Sequence, residues 1–193
     1  MLYIPIILGG THRIRRSVMV AQYVIERFRR MPGVETELHD VLEPDLPSRG
    51  DRPRVRREIS ARLPELGVAL QRADGIVVVT PEEKDGYPGA LKAALDDLLP
   101  EYRRKPFGFV TVSSGGFGGV YCLAQLRLIT LGMGAFPIPA SLPISRVEEA
   151  FDEEGRLLEP AIERRTRAFV DEMVWYAEAI SARRAQDACK VAS

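Results

Sequence analysis

Short apolar runs along this chain alternate with longer segments whose apolar residues recur every three or four positions. Leu2 to Leu8 is a continuous apolar run ending at Gly9-Gly10, the length of a buried strand. From Ser17 onward Val20, Ala21, Val24 and Phe28 recur at helical spacing, and Met31-Pro32-Gly33 stops the segment. Val34 to Val41 alternates, with Val34, Thr36 and Leu38 on one face, which predicts a second and more exposed strand. A proline-rich loop is expected over 42–54, and helical periodicity resumes over 55–72 with Pro64 as a kink or break. Ile76 to Val79 is all β-branched and the most strand-like piece of the chain. A helix is expected over about 88–99 and a buried strand over 107–112, closed by Ser113-Ser114-Gly115-Gly116. Further on come a helix over about 119–131 and a short fifth strand, interrupted by prolines, within 134–144. One long helix over about 158–184 ends the pattern, and the last residues read as a frayed tail.

Buried strands alternating with helices indicate βαβ units and a parallel sheet covered on both faces. The expected fold class is α/β: a flavodoxin-like three-layer sandwich with a five-stranded parallel sheet. It forms a single domain over 1–184, with 185–193 as its tail. Composition agrees with a globular protein: 193 residues, 46% hydrophobic and 28% charged. Lys and Arg number 27 and so do Asp and Glu, so the net charge is zero, and a nucleic-acid partner, which calls for basic excess, is not expected. No apolar run approaches the roughly 20 residues of a membrane span. The first residues carry no basic region of a secretory signal, and Cys122 and Cys189 form no metal or disulfide spacing. A cytoplasmic protein that meets neither membrane nor nucleic acid is the expectation.

Open α/β sheets bind ligands at the carboxyl ends of their strands. Three of these ends carry unusual residues. The first is Gly9-Gly10-Thr11-His12-Arg13-Ile14-Arg15-Arg16-Ser17, where a tight turn leads to a helix N-terminus with arginines suited to phosphate oxygens. Neither G-x-G-x-x-G nor G-x-x-x-x-G-K-[ST] is present, so a single terminal phosphate fits better than a pyrophosphate. An ordinary solvated arginine cluster with a serine cap is the alternative. The second is the polar loop Thr80 to Lys92, stiffened by Pro81, Pro88 and the glycines, able to offer main-chain groups to a flat heteroaromatic edge; a plain turn is the alternative. The third, Ser113-Ser114-Gly115-Gly116-Phe117-Gly118-Gly119, has a backbone that a planar ligand can approach closely.

Together these loops resemble the NADPH-dependent FMN reductase family. That family's first loop is similar to G-[ST]-x-R-x-x-R-x-S, matched here by Gly9, Arg15 and Ser17, with Gly10 in place of the small hydroxyl residue and His12 in place of the first arginine. Its second signature, T-P-E-Y-N followed by Y-P-G-x-L-K-N-A-L-D, is matched by Thr80-Pro81-Glu82 and Tyr87 to Asp96, with Glu83-Lys84 replacing Tyr-Asn. Its serine and glycine loop before a Q-L-R segment is matched by Ser113 to Gly119 and Gln125-Leu126-Arg127. The resemblance spans about residues 2 to 184.

It implies an FMN-dependent NAD(P)H oxidoreductase. Hydride would pass from NADPH or NADH to FMN and on to a small acceptor such as a quinone, azo compound or free flavin. Thr11, His12, Arg13, Arg15 and Ser17 would meet the phosphate. Pro81, Glu82, Glu83 and Lys84 would line one edge of the ring, and Ser113, Ser114, Gly115, Gly116 and Gly119 the other. No side chain need act as catalytic acid or base, and no metal is called for. The helix from Tyr87 would help form a homodimer, or a tetramer of dimers. An electron carrier of the same fold, or a relative with weakened FMN binding, stands as the alternative.

Cys122 reads as a buried small hydrophobe, His39 as a surface residue, and Trp175 and Tyr176 as packing residues. The run Arg49, Arg52, Arg54, Arg56 and Arg57 reads as a solvated loop. Neutrality is a sum of patches, since Arg13, Arg15, Arg16, Arg27, Arg29 and Arg30 face only Glu26 over residues 12–30.

Overall fold

A computed structural model describes residues 1–10, 16–41, 64–96 and 98–191 of the chain. Pro5 has no N–H for a ladder, and it divides the first apolar run into β1 (Leu2–Tyr3) and β2 (Ile6–Leu8). Pairing carries across the break, because Ile4 N donates to Glu35 O at 2.9 Å and Ile6 N to Glu37 O at 2.8 Å. β1 pairs with β3 (Val34–Glu35), while β2 pairs with β4 (Leu38–Asp40) and β5 (Ile76–Pro81). β6 (Pro106–Val112) and β7 (Phe136–Ile144) complete a parallel five-stranded sheet in the order β4-β2-β5-β6-β7. The order reverses between β2 and β5, the switch point at whose carboxyl side open α/β sheets form their ligand crevice.

Strand alternation decides the layers. Ile6, Leu8, Val77, Val79, Val110 and Val112 point to one face, where α1 (Arg16–Arg29) and α6 (Pro160–Val191) cover them. Ile7, Ile76, Val78, Phe107 and Phe109 point to the other, under a helix α2 over residues 64–72, α3 (Gly89–Asp96) and α4 (Val120–Gly132). On the first face Phe28 and Phe169 meet edge-on with ring centroids 6.5 Å apart. The Glu163 carboxylate accepts hydrogen bonds from Tyr23 at 2.6 Å and Arg27 at 2.7 Å, and the Tyr23 bond first of all holds it below the usual carboxylate range. On the second face Lys105 is 3% exposed, and its ammonium donates to the carbonyls of Leu70 and Gln71 at the end of α2. Burial lowers its pKa to about 8.

Several expectations are revised. The fifth strand is the longest described, nine residues, because it is an edge: Pro137, Pro139 and Pro143 need no ladder partner on their open side. Side chains cover that side, with Arg127 donating to Pro139 O, Arg165 to Pro143 O, and Ala140 N to Glu172. The last helix passes Arg184 to Val191, since Ala185, Gln186 and Lys190 favour helix and Arg183 pairs with Asp187 one turn on. Trp175 is 62% exposed; the buried stripe of α6 is Ile162, Thr166, Phe169, Val170, Met173 and Ala177, and Trp175 falls outside it. His39 is half-buried inside β4, 3.4 Å from the Tyr3 hydroxyl, and burial lowers its pKa. The basic run from Arg49 to Arg57 lies outside the described residues.

Removing Phe169 leaves a cavity between α6 and the sheet. Phe169→Ala is expected to cost about 3–5 kcal/mol, and Trp175→Ala less than about 0.5 kcal/mol, both read by urea denaturation followed in the far-UV. Comparable losses at the two positions would contradict this layering.

Candidate functional site

The carboxyl ends of β2, β5 and β6 lie side by side in the sheet, and side-chain hydrogen bonds link the described residues that leave them. Thr80, a buried hydroxyl near the end of the all-β-branched β5, donates to Gly9 O at 2.9 Å and fixes the start of the first loop. Gly9 allows Leu91 of α3 to close over it, since a Cβ there would stand 2.7 Å from Leu91 Cδ2. Thr11, His12, Arg13 and Arg15 lie outside the described residues. Ser17 is described, in the first turn of α1, and it is 2% exposed. Its Oγ is buried and has no hydrogen-bond partner among the described residues. A buried hydroxyl without a partner costs about 1–3 kcal/mol, and at a helix N-terminus such a donor is suited to an acceptor that the described residues do not supply. An anion's oxygen meets that requirement, and the helix end favours it.

The second loop extends the β5–β6 ladder and then turns back. Glu82 N donates to Val112 O at 2.8 Å, and Glu83 and Gly86 exchange backbone hydrogen bonds at 2.8 and 3.1 Å. Lys84 and Asp85, between them, have φ of 50° and 60°. Two successive left-handed residues make a type I′ turn, which ordinarily takes Asn-Gly. Gln125 of α4 supports the strained pair, its Nε2 donating to Asp85 O at 2.9 Å.

Pro81 is the last residue of β5, and the turn that follows it is closed by the Glu83–Gly86 backbone pair. Glu82 has a further task. Its carboxylate accepts the Cys122 N–H at 3.2 Å, in the first turn of α4, and so ties the second loop to the third.

The third loop is anchored at its base and open at its tip. Thr111 donates to Gly118 O at 2.6 Å, Ser113 N to Ile144 O at 2.9 Å, and Ser113 Oγ to Gly115 O at 3.0 Å. Gly118 and Gly119 take φ of 65° and 79°, and a side chain on Gly118 would also stand 2.8 Å from Pro143 Cβ. Ser114, Gly115, Gly116 and Phe117 are exposed, and nothing lies within 4 Å of where a Cβ on Gly115 would be. Among the described residues no backbone carbonyl accepts from the N–H groups of 114–117, so donors and bare backbone face outward. A planar group has room to lie there, and an anionic end has Ser17 to meet it.

Thr111 was not singled out by sequence reasoning, and Thr80 and Gln125 were noted only as parts of motifs, without these hydrogen bonds. A hydroxyl at the end of an otherwise apolar buried strand is the signal that marks the first two. In α3, the helix from Tyr87, the apolar residues Ala90, Leu91, Ala94 and Leu95 are buried. The exposed apolar face belongs to α4 and its approach: Phe117, Val120, Tyr121, Leu128 and Leu131.

Residues 2–149 match the model of the NADPH-dependent FMN reductase family. An NADPH azoreductase of Bacillus sp. (strain OY1-2) is 30% identical, over 81% of this chain and 85% of that protein. An FMN-dependent NADPH-azoreductase of Staphylococcus aureus is 29% identical, over 88% of this chain and 92% of that one. Among solved structures, a flavoenzyme NAD(P)H:(acceptor) oxidoreductase of Paracoccus denitrificans superposes with a TM-score of 0.69 at 20% identity, over 93% of this chain and 99% of that one. An oxidoreductase of Corynebacterium diphtheriae gives 0.71 at 19% identity, over 94% and 98%. These two likenesses establish the fold.

A thiol at a helix N-terminus is commonly acidified. Cys122 is the reverse: burial, aided by the Glu82 charge, pushes it up to about 12. Ellman's reagent at pH 8 is therefore expected to titrate one thiol in the native protein, the exposed Cys189, and a second only on denaturation. Two fast native thiols would contradict the Glu82–Cys122 arrangement.

Proposed function

The chain belongs to the NADPH-dependent FMN reductase family, and from that premise we propose which of its residues hold the flavin, where its substrates enter and how it assembles. It is an FMN-dependent NAD(P)H oxidoreductase with NADPH as electron donor. The observation that carries the site assignment is the buried, unpartnered Ser17 hydroxyl at the start of α1. Ser17 donates to a phosphate oxygen of FMN, with Thr11, His12, Arg13 and Arg15 as the remaining phosphate residues. Main-chain groups of Pro81 to Lys84 meet one edge of the ring. The tip of Ser113 to Gly119 meets the other, with Gly115 and Gly116 leaving the space above the backbone open. FMN held by these residues would supply the redox chemistry that links the nicotinamide's hydride to an acceptor.

The chain's own contribution is positional. Glu82 serves as a strut between loops. Glu83-Lys84 in place of Tyr-Asn leaves the ring edge to backbone contacts, which the Lys84–Asp85 turn holds in place. The acceptor is a small planar compound able to take the nicotinamide's place over the glycine loop. Azo compounds fit, as the relatives' names suggest, and so do quinones and free flavins. Free cysteines and dependence on NADPH suit a reducing cytoplasm.

Removing the orphaned hydroxyl separates binding from folding. Ser17→Ala is expected to weaken FMN binding about tenfold or more, read by quenching of flavin fluorescence, while the apo-protein's unfolding midpoint does not fall. A stability loss with unchanged FMN affinity would move the phosphate elsewhere. Absence of flavin bands and of NADPH oxidation in the wild-type protein supplied with FMN would overturn the reductase reading itself.

The apolar face of α4 supports a homodimer whose contact flanks the glycine loop. Exposure of 69% at Leu128 and 58% at Leu131 is costly on a free surface. Light scattering on the wild type is expected to give at least a dimer, and Leu128→Glu with Leu131→Glu a monomer. A monomeric wild type would refute this assembly.

A further inference from the structure

Where β7 ends, the chain makes a move that its own residue type resists. Ile144 accepts from Ser113 N, then Arg146 N donates to Gly115 O at 3.0 Å and Val147 N to Ser113 O at 3.2 Å. The segment after β7 is thus laced to the glycine loop. Arg146 stands at φ 45°, ψ 54°, the left-handed region, as the N-cap of α5 (Val147–Ala150). Its side chain makes no capping hydrogen bond there. An L-residue pays for that conformation, and asparagine, aspartate or glycine are its usual occupants.

The position delivers the side chain to the loop. The terminal Arg146 nitrogen lies 3.8 Å from the point where a Cβ on Gly116 would stand. Gly116 has no side chain to obstruct the guanidinium, and both residues are exposed. Among the described residues the guanidinium has no hydrogen-bond or ion-pair partner, although Glu148 and Glu149 follow it in α5. A strained backbone thus holds an unneutralised, fork-shaped cation at the rim of the open loop. Strain of this kind concentrates where a group must be held ready for a ligand.

We propose that Arg146 binds a phosphate group of the nicotinamide cosubstrate as it lies over the glycine loop, and so helps to select that substrate. The proposal rests on the reductase reading above. A guanidinium suits this task because two of its N–H groups can meet two phosphate oxygens at once. The flavin phosphate is already provided for at Ser17, across the sheet on the β2 side. The anion that reaches Arg146 therefore belongs to the second ligand.

The test uses the FMN-loaded protein, with NADP+ as the binding probe and with Arg146→Gly and Arg146→Lys as variants. In Arg146→Gly the dissociation constant for NADP+ and the KM for NADPH are expected to rise about tenfold or more, with FMN affinity unchanged. The same change relieves the left-handed strain, so the unfolding midpoint should rise by about 2–4 °C. Arg146→Lys should keep part of the binding. A KM for NADH that stays put assigns the contact to the 2′-phosphate, and one that rises in parallel assigns it to the pyrophosphate; either supports the proposal. NADP+ binding within twofold of wild type in both variants overturns it, as does FMN loss that accounts for the whole effect. A wild type that neither holds FMN nor oxidises NADPH sinks the functional reading as well, which the normal-turnover outcomes leave standing.

Discussion

The hydrogen bond from Cys122 N–H to the Glu82 carboxylate joins loops that leave two different strands, and much of the site's geometry hangs on it. Glu82 already extends the sheet by donating its own N–H to Val112 O, so its backbone position is set by the β5–β6 ladder. Its side chain then has one short path, to the exposed donors of the first turn of α4. A carboxylate placed there is favoured by the helix's positive end, which offsets part of the cost of removing it from water. The same bond supplies the cap that α4 lacks, for Gly119 has no side chain to provide one. Fixing the start of α4 fixes Gln125 one turn on, and Gln125 in turn holds the Lys84–Asp85 turn from which this loop departs. The two loops brace each other through a single helix.

Backbone strain gathers at the same end of the sheet. Lys84, Asp85, Arg104 and Arg146 are the described non-glycine residues with positive φ. Of these, Lys84, Asp85 and Arg146 border the crevice, together with Gly118 and Gly119. Each strained residue has compensating bonds: the Glu83–Gly86 pair closes one turn, and the Arg146–Gly115 and Val147–Ser113 bonds close the other. Below them the strands Ile76 to Val79 and Phe107 to Val112 are wholly buried, and none of their residues has a positive φ. A rigid sheet is what lets its loops persist in conformations that short peptides would abandon.

How far the chain's residues disclosed this depends on which physical effect governed each part. The buried strands and the layer order were legible because apolar runs bounded by glycine have few alternatives inside an α/β sheet. β7 was read as short because proline weakens a strand, yet an edge strand with one open side tolerates proline, and edge position is a tertiary fact. Trp175 was misplaced because apolar character alone does not say which side of a 32-residue helix faces the sheet. The Pro81-Glu82 pair stood out as a loop at a strand's carboxyl end, but Glu82's bond did not, since its partner is a backbone group 40 residues away. Arg146 was invisible for a similar reason: nothing in an arginine announces a left-handed backbone.

α4 brings these threads into one element. Its inner face, with Cys122 and Leu126, belongs to the core, and its first turn secures Glu82 and, through it, the glycine loop. Its outer face presents Tyr121, Leu128 and Leu131 to the surroundings. A helix pinned on its inner face cannot shift without disturbing the β6 side of the sheet, because Leu126 is fully buried beneath it. Any partner that covers the outer face therefore meets a surface already fixed at the angle that the loops require. Association there loses little conformational entropy on this side of the contact. The rigidity that holds these loops and the rigidity of the exposed apolar face are one property of this helix, set by its buried inner face and the hydrogen bonds at its N-terminus.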